Sequence, residues 1–436
     1  MSKKKKGKRI LTPELKKEIK EKIEEIRTWR DMRILWHSVA PYIGSGYGKV
    51  TKYTLAGLLN KGFVAFCSAY YGIQPGGVVN YKGIYVLPVV KESLDKLGFK
   101  TAAEHYKRFQ CDLGIFHADF WVSLKFARLI PNSLCYSPID HENYPEKWLN
   151  VLRAYKWIAV PSKHAQKELK KSGIEAEFVP HGVDTKVYRP LDKSSCRKGF
   201  TLEKDKFIIG IVAANNDDEP RKGWDSMFQA IKIFLDNNPD TKKDVEVVIH
   251  TDPENERGRN LIELSKQIGV HDKIVWNDRY ISSVIGLPET GMAKLYNCFD
   301  VFLMLSRREG FCLPVLEAQA CGVPCIVNGF SALIERVNYG KCGWLVPPKA
   351  YVYSPLNAIS SIPDPEKAAD ALEEAYNKDS KRKYFSKRSL EYARRQTWNI
   401  ALEKHWLPLL ERIGEELPHL SSKRFKSLKE RKIAGN

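Results

Sequence analysis

Residues 301–327 read VFLMLSRREGFCLPVLEAQACGVPCIV. An apolar run, Val301–Leu305, leads into a polar loop, and Pro314 then suits the first position of a helix reaching about Cys321. Gly322 stops that helix, and Pro324 leads into a second apolar run, Cys325–Val327. Strand, loop, helix and strand in so short a span make the repeating unit of a parallel sheet buried on both faces.

The same alternation extends in both directions. The first half offers strands at Arg33–Trp36, Phe63–Phe66, Ile84–Leu87, Asp112–Phe116, Ser133–Tyr136, Trp157–Val160 and Glu177–Val179. After Pro190-Leu191-Asp192 and a polar stretch, a second set follows at Phe207–Val212, Val245–His250, Lys273–Trp276, Val301–Leu305, Cys325–Val327 and Trp344–Val346. From about 363 to about 414 the pattern is helical, with a fresh helix start at Thr397-Trp398. A chain of 436 residues exceeds the size at which one core usually keeps growing. The expected architecture is α/β: two Rossmann-like, doubly wound parallel-sheet domains, with the last helix crossing back onto the first. The divisions are a basic amphipathic extension (1–30), a first domain (31–190), a second domain (191–396), a cross-over helix (397–415) and a basic tail (416–436).

Composition narrows the class. No stretch approaches the roughly 18 uninterrupted apolar residues of a membrane span, and the lysine-rich start lacks the apolar region of a signal peptide. A cytoplasmic protein, free or peripheral to a membrane, is expected. Nine cysteines without any CxxC pair point to reduced core thiols rather than disulfides or zinc ligands. The net charge is +19, of which residues 1–30 supply +7 and residues 420–436 supply +5. Such ends suit anionic lipid or, less well, nucleic acid, or are solvated tails. Thr12-Pro13-Glu14 starts a helix whose Leu15, Ile19, Ile23 and Ile26 recur at helical spacing, a stripe fit for a membrane surface or for its own domain.

In doubly wound sheets, ligands sit beyond the carboxyl ends of the strands, where helix N-termini also point. Glu309 falls in such a loop and Glu317 in the first turn of the helix after it. Carboxylates there can accept hydrogen bonds from sugar hydroxyls, or can be a helix-end charge and a solvated side chain. Gly310-Phe311-Cys312 offers backbone N–H groups near the helix N-terminus, an anion site. Arg221-Lys222, after strand Phe207–Val212, can stabilise charge on a departing diphosphate, or can be a surface pair. Gly44-Ser45-Gly46-Tyr47-Gly48 follows the first strand and reads as a dinucleotide fingerprint or a tight turn; it is not a P-loop, because Val50 follows Lys49. His117 ends a strand, where it caps the strand or serves a site, with Asp119 as competitor. No Asp-x-Asp pair follows a strand; Asp217-Asp218 lies in the basic loop, where Arg221 and Lys222 supply the countercharge, so no obligatory metal is expected.

E-G-F-C-L-P-V-L-E at 309–317 resembles the E-x7-E signature of the GT-B retaining glycosyltransferases, in particular their large family four. Three further segments are similar in order: Asn215 to Gly223, resembling the family's basic donor loop; Val160-Pro161-Ser162 through Val179-Pro180-His181-Gly182-Val183-Asp184 to Pro190; and Tyr136-Ser137-Pro138-Ile139-Asp140-His141-Glu142. The resemblance spans roughly residues 31–415. It implies transfer of a hexosyl group, with retention, from a UDP- or GDP-sugar to a hydroxyl acceptor, without a metal. It places Glu309 by the donor sugar and Glu317 on the ribose. Lys222 and Arg221 fall beside the diphosphate, with backbone contacts at Gly46, Gly48, Gly310, Phe311, Cys312 and Leu313. His117 takes the position that contacts the donor sugar, through the Asp112-to-His117 spacing; Asp119, Asp140 and His141 are acceptor-side candidates. The adjacent Arg221-Lys222 departs from the wider spacing of many relatives, which makes Lys222 the firmer assignment. A sugar-nucleotide epimerase shares the fold but not the E-x7-E pattern, and a nucleic-acid-binding protein would act through the basic ends alone.

Overall fold

The computed structural model describes residues 28–72, 76–216, 219–277, 287–417 and 420. The amphipathic start, most of the basic tail and Asp217-Asp218 lie outside the described residues.

The first sheet has eight strands: β1 (Arg33–Val39), β2 (Val64–Tyr71), β3 (Val79–Tyr81), β4 (Ile84–Pro88), β5 (Leu113–Phe116), β6 (Ser133–Tyr136), β7 (Trp157–Val160) and β8 (Glu177–Phe178), in the order β3-β4-β2-β1-β5-β6-β7-β8. The second has six: β9 (Phe207–Val212), β10 (Val245–His250), β11 (Ile274–Trp276), β12 (Val301–Met304), β13 (Cys325–Asn328) and β14 (Gly343–Val346), in the order β11-β10-β9-β12-β13-β14. Central strands such as β5 and β12 are buried at every position, the reason they read as unbroken apolar runs. Pairing is parallel throughout except at the edge strand β3, which runs antiparallel to β4 and was missed because it is short and half-exposed.

Among the parallel strands of each sheet the order reverses once, between β1 and β5 and between β9 and β12. Such switch points open a crevice beyond the strand ends, because successive helices leave to opposite faces.

Two expectations need revision. The polar stretch after Asp192 is a helix, Lys193–Gly199, capped by the Asp192 carboxylate, which accepts from Ser195 N at 2.8 Å. A two-stranded antiparallel hairpin, β15 (Pro348–Tyr353) with β16 (Ile359–Pro363), follows β14 and reaches the first domain through a bridge between Ile359 and Glu142. Downstream, Thr397 caps the helix Trp398–Ala401, accepting from Ile400 N. The chain continues through a π-helical turn, Leu402–Trp406, into helix Leu407–Glu416. The Trp406 ring packs 5.7 Å from Trp36 and 4.9 Å from Tyr136 in the first core. All nine cysteines are buried and unpaired. Among the described residues no helix is long and apolar enough to cross a membrane.

Candidate active site

The loop after β9 is pinned to the end of β12. Gly223 has φ +68°, and a Cβ there would stand 2.0 Å from the Leu305 carbonyl oxygen, so only glycine lets the loop lie so close. Arg307 N donates to Arg221 O at 2.7 Å, and Arg308 grips Glu219 through Nη1 and Nη2 at 2.7 and 2.6 Å. The arginine pair of the opening stretch therefore anchors the loop that presents the next two cations. Lys222 Nζ lies 2.5 Å from Glu309 Oε1, and Arg221 Nη1 lies 3.7 Å from the same oxygen. Burial pushes the Glu309 carboxyl up, but Lys222 and then Arg221 outweigh it and hold the group below its ordinary range.

Beyond Glu309 the chain turns sharply. Cys312, with φ +70°, is the N-cap of helix Leu313–Ala320. This helix begins one residue before Pro314, so Glu317 is its fifth residue and belongs to the second turn, not the first as its sequence suggested. Its carboxylate is nevertheless fixed, by Tyr296 Oη at 3.0 Å and by Lys49 Nζ at 2.5 Å from across the cleft. The Phe311 ring turns inward against His181 (4.6 Å) and beneath the Arg336 guanidinium (3.9 Å). At Gly310 a Cβ would meet Pro138 Cβ at 2.3 Å, and here the two walls of the cleft touch.

On the first-domain wall, His117 follows β5 and is fully buried. Its Nδ1 donates to Tyr136 O at 2.9 Å, which leaves Nε2 buried without a partner. Burial lowers its pKa to about 4, so the ring is neutral at ordinary pH. Asp112, read as opening that strand, lies just before it and accepts from Arg33 N at 2.7 Å, tying β5 to β1. Asp119 accepts from Tyr47 Oη at 2.7 Å. Asp140 takes His141 Nδ1 at 2.6 Å and faces Arg308 Nε at 3.5 Å, a contact between the domains. Burial pushes the Asp140 carboxyl up, and His141, Arg308 and Arg221 together bring it well below the usual range.

The glycine-rich loop leads directly into a helix. Gly46 and Gly48 open helix Gly46–Asn60, whose N-cap Ser45 accepts from Gly48 N at 3.1 Å. That N–H serves the cap. Sequence reasoning also missed His181, a buried imidazole with neither nitrogen partnered, 5.9 Å from His117. The Val-Pro-His-Gly-Val-Asp run was its one visible signal. Among the described residues, Glu142, His164 and Glu168 bring ligand atoms within 4.8 Å of one another, but Glu168 is paired with Lys171 and none of the three belongs to the Glu309–Glu317 cradle.

Residues 206–377 match the family model described as Glycosyl transferases group 1. A D-inositol 3-phosphate glycosyltransferase of Kribbella flavida is 28% identical over 176 residues, 40% of this chain and 39% of that protein. The chain thus spans about two fifths of the length of such curated relatives. Sucrose-phosphate synthase from Thermosynechococcus elongatus superimposes with a TM-score of 0.67 at 17% identity, covering 86% of this chain and 97% of that one. An Anabaena protein, HepE, solved with UDP and glucose, gives 0.63 at 14% identity over 86% and 98%. These structural likenesses speak for the fold, which with the two facing sheets is GT-B, and within it residues 206–377 are the part similar to glycosyl transferases group 1.

Proposed function

We propose that the protein is a retaining glycosyltransferase that moves a hexosyl group from a UDP- or GDP-sugar to a hydroxyl acceptor without an obligatory metal. The observation that carries this reading is the triad of Lys222, Arg221 and Glu309, with full charges meeting at 2.5 and 3.7 Å at a sheet switch point. Two cations fixed beside a carboxylate suit a ligand with an anionic and a hydroxylated part. The diphosphate takes Lys222 and Arg221, and Glu309 is freed to accept from sugar hydroxyls.

As the anomeric C–O bond breaks, negative charge grows on the diphosphate, and cations already held in place stabilise that state more than the substrate. Arg221 and Lys222 supply the countercharge that a metal ion supplies in other transferases. The acceptor oxygen attacks from the side the diphosphate leaves, and its proton passes to the departing phosphate oxygen. His117 stays neutral through this step and presents Nε2 as a hydrogen-bonding group to the sugar. Glu317 receives the ribose. The basic ends hold the enzyme at an anionic membrane surface in this reading. The UDP and glucose bound by HepE favour a uridine donor among the alternatives.

Nucleotide release from UDP-, GDP- and ADP-sugars with EDTA present tests the proposal. One donor is expected to be hydrolysed or transferred by the wild-type chain and not by Lys222→Ala or Glu309→Gln, with the product anomer of unchanged configuration by NMR. Absence of both turnover and nucleotide-sugar binding across the panel overturns it.

A further inference from the structure

The two cradle carboxylates are engaged differently. Glu309 is held by cations of its own domain, whereas Glu317 is held by Lys49 of the other. Lys49 Nζ lies 2.5 Å from Glu317 Oε1 and 3.1 Å from Tyr188 Oη, and Tyr296 Oη takes Oε2 at 3.0 Å. Both Glu317 oxygens are therefore held by groups of the protein itself. Lys49 belongs to helix Gly46–Asn60, and Lys52 and Tyr53, three and four positions on, share its face. They reach Glu289 on the second domain, Tyr53 Oη at 3.0 Å from Oε2 and Lys52 through an ion pair. One face of one helix thus spans the cleft and ends on the carboxylate assigned to the ribose.

We propose that Lys49 is a latch displaced by the donor: its ammonium occupies the ribose carboxylate while the site is empty, and nucleotide binding exchanges it for the ribose hydroxyls. This rests on the reading of Glu317 as the ribose residue. The physical basis is competition for one acceptor. Glu317 is only 4% exposed, and a bare carboxylate so buried is costly, so Lys49 compensates it and keeps it aimed until the diol arrives. An intramolecular competitor lowers the apparent affinity of whatever displaces it, by the fraction of molecules in which the carboxylate is free. The displaced ammonium has a route out, because the Lys49 side chain is already 19% exposed. Lys49 is accordingly a positioning residue whose removal strengthens nucleotide binding, the reverse of a residue that contacts the nucleotide.

Calorimetric binding of UDP, GDP and ADP, each beside its 2′,3′-dideoxy counterpart, to wild type, Lys49→Met and Lys49→Gln decides the matter. The preferred ribonucleotide is expected to bind both variants about three- to tenfold more tightly than wild type, with the dideoxy form unchanged. A general loosening of the helix would move both ligands alike, and Lys49→Gln guards against a failure of Lys49→Met to fold. Unchanged or weaker ribonucleotide binding in the folded variants, or an equal change for both sugars, overturns the latch and leaves the donor reading standing. If no nucleotide binds even the wild type, the donor reading itself falls and the latch with it.

Discussion

Arg221, Lys222 and Glu309 on the second-domain wall meet as full charges, whereas His117 and His181 on the first-domain wall are kept neutral by burial. The charged wall is assembled from loops that follow adjacent strands, β9 and β12, of one sheet. The neutral wall is held by backbone carbonyls and ring contacts gathered from distant segments, such as Tyr136 O on His117 and Phe311 against His181. One wall suits the diphosphate of the proposed donor; on the other the two imidazoles offer polar atoms without charge of their own. Removing a charge should therefore damage the first wall most, and changing fit or pH should expose the second.

The largest effect belongs to Lys222→Ala. It deletes the nearer cation from a buried carboxylate and leaves Arg221 at 3.7 Å as the remaining one. Donor turnover should fall about 10²- to 10³-fold, the cost typical of removing one fixed group that stabilises developing charge. Steady-state nucleotide release measures it, and a fall below about tenfold would mean that the charged wall does not carry the chemistry.

Gly310→Ala comes next and acts where the walls touch. Gly310 has no positive φ, so the new methyl is strained only by Pro138 across the cleft, at 2.3 Å. The variant should fold with nearly wild-type thermal stability yet fail to close, lowering kcat roughly 10- to 100-fold. Gly223→Ala is its control: positive φ and a 2.0 Å clash within one domain should cost stability instead.

How much of this was legible follows the same division. Glu309, Glu317 and Lys222 could be placed beside the cleft from the sequence because buried parallel strands leave apolar runs that mark the loops after them; the roles expected of them came only from the resemblance. Arg308 was visible but mute, since its partners Glu219 and Asp140 lie 89 and 168 positions away. Lys49 entered the sequence reading only as the residue before the Val50 that rules out a P-loop, because its contact is with Glu317, 268 positions on. The helix Lys193–Gly199 and the β15–β16 hairpin escaped because neither carries a long apolar run; one is fixed by its cap and the other by pairing with itself.

The neutral wall predicts acid sensitivity. His117, like His37 and His250, has its pKa lowered to about 4 by burial. Unfolding restores the ordinary value near 6.5. A depressed histidine binds fewer protons folded than unfolded, so its contribution is complete above about pH 6.5 and is lost as pH falls toward 4. Each should cost on the order of 1–2 kcal/mol between pH 7 and pH 5. Denaturant midpoints should drop over that window, and His117→Gln should remove its own share of the slope. An unchanged midpoint would mean that the imidazole is already charged in the folded protein. The activity profile, for the same reason, should show no inflection from His117 near pH 6.5.

The smallest effect separates the two cations on helix Gly46–Asn60. Lys52 pairs with Glu289, but both are partly solvated, at 25% and 19% side-chain exposure, against 19% and 5% for Lys49 and Glu317. Removing Lys52 leaves Glu289 with a hydrogen bond from Tyr53 Oη at 3.0 Å, so no bare carboxylate is stranded. Lys52→Gln should therefore cost less than about 1 kcal/mol in stability, shrinking further with added salt. It should leave the preference for ribonucleotide over dideoxynucleotide where it was, because Glu289 is outside the cradle. If Lys52→Gln shifted that preference as far as Lys49→Met, the helix would act as one electrostatic surface on the second domain, and the distinction between its two lysines would fall.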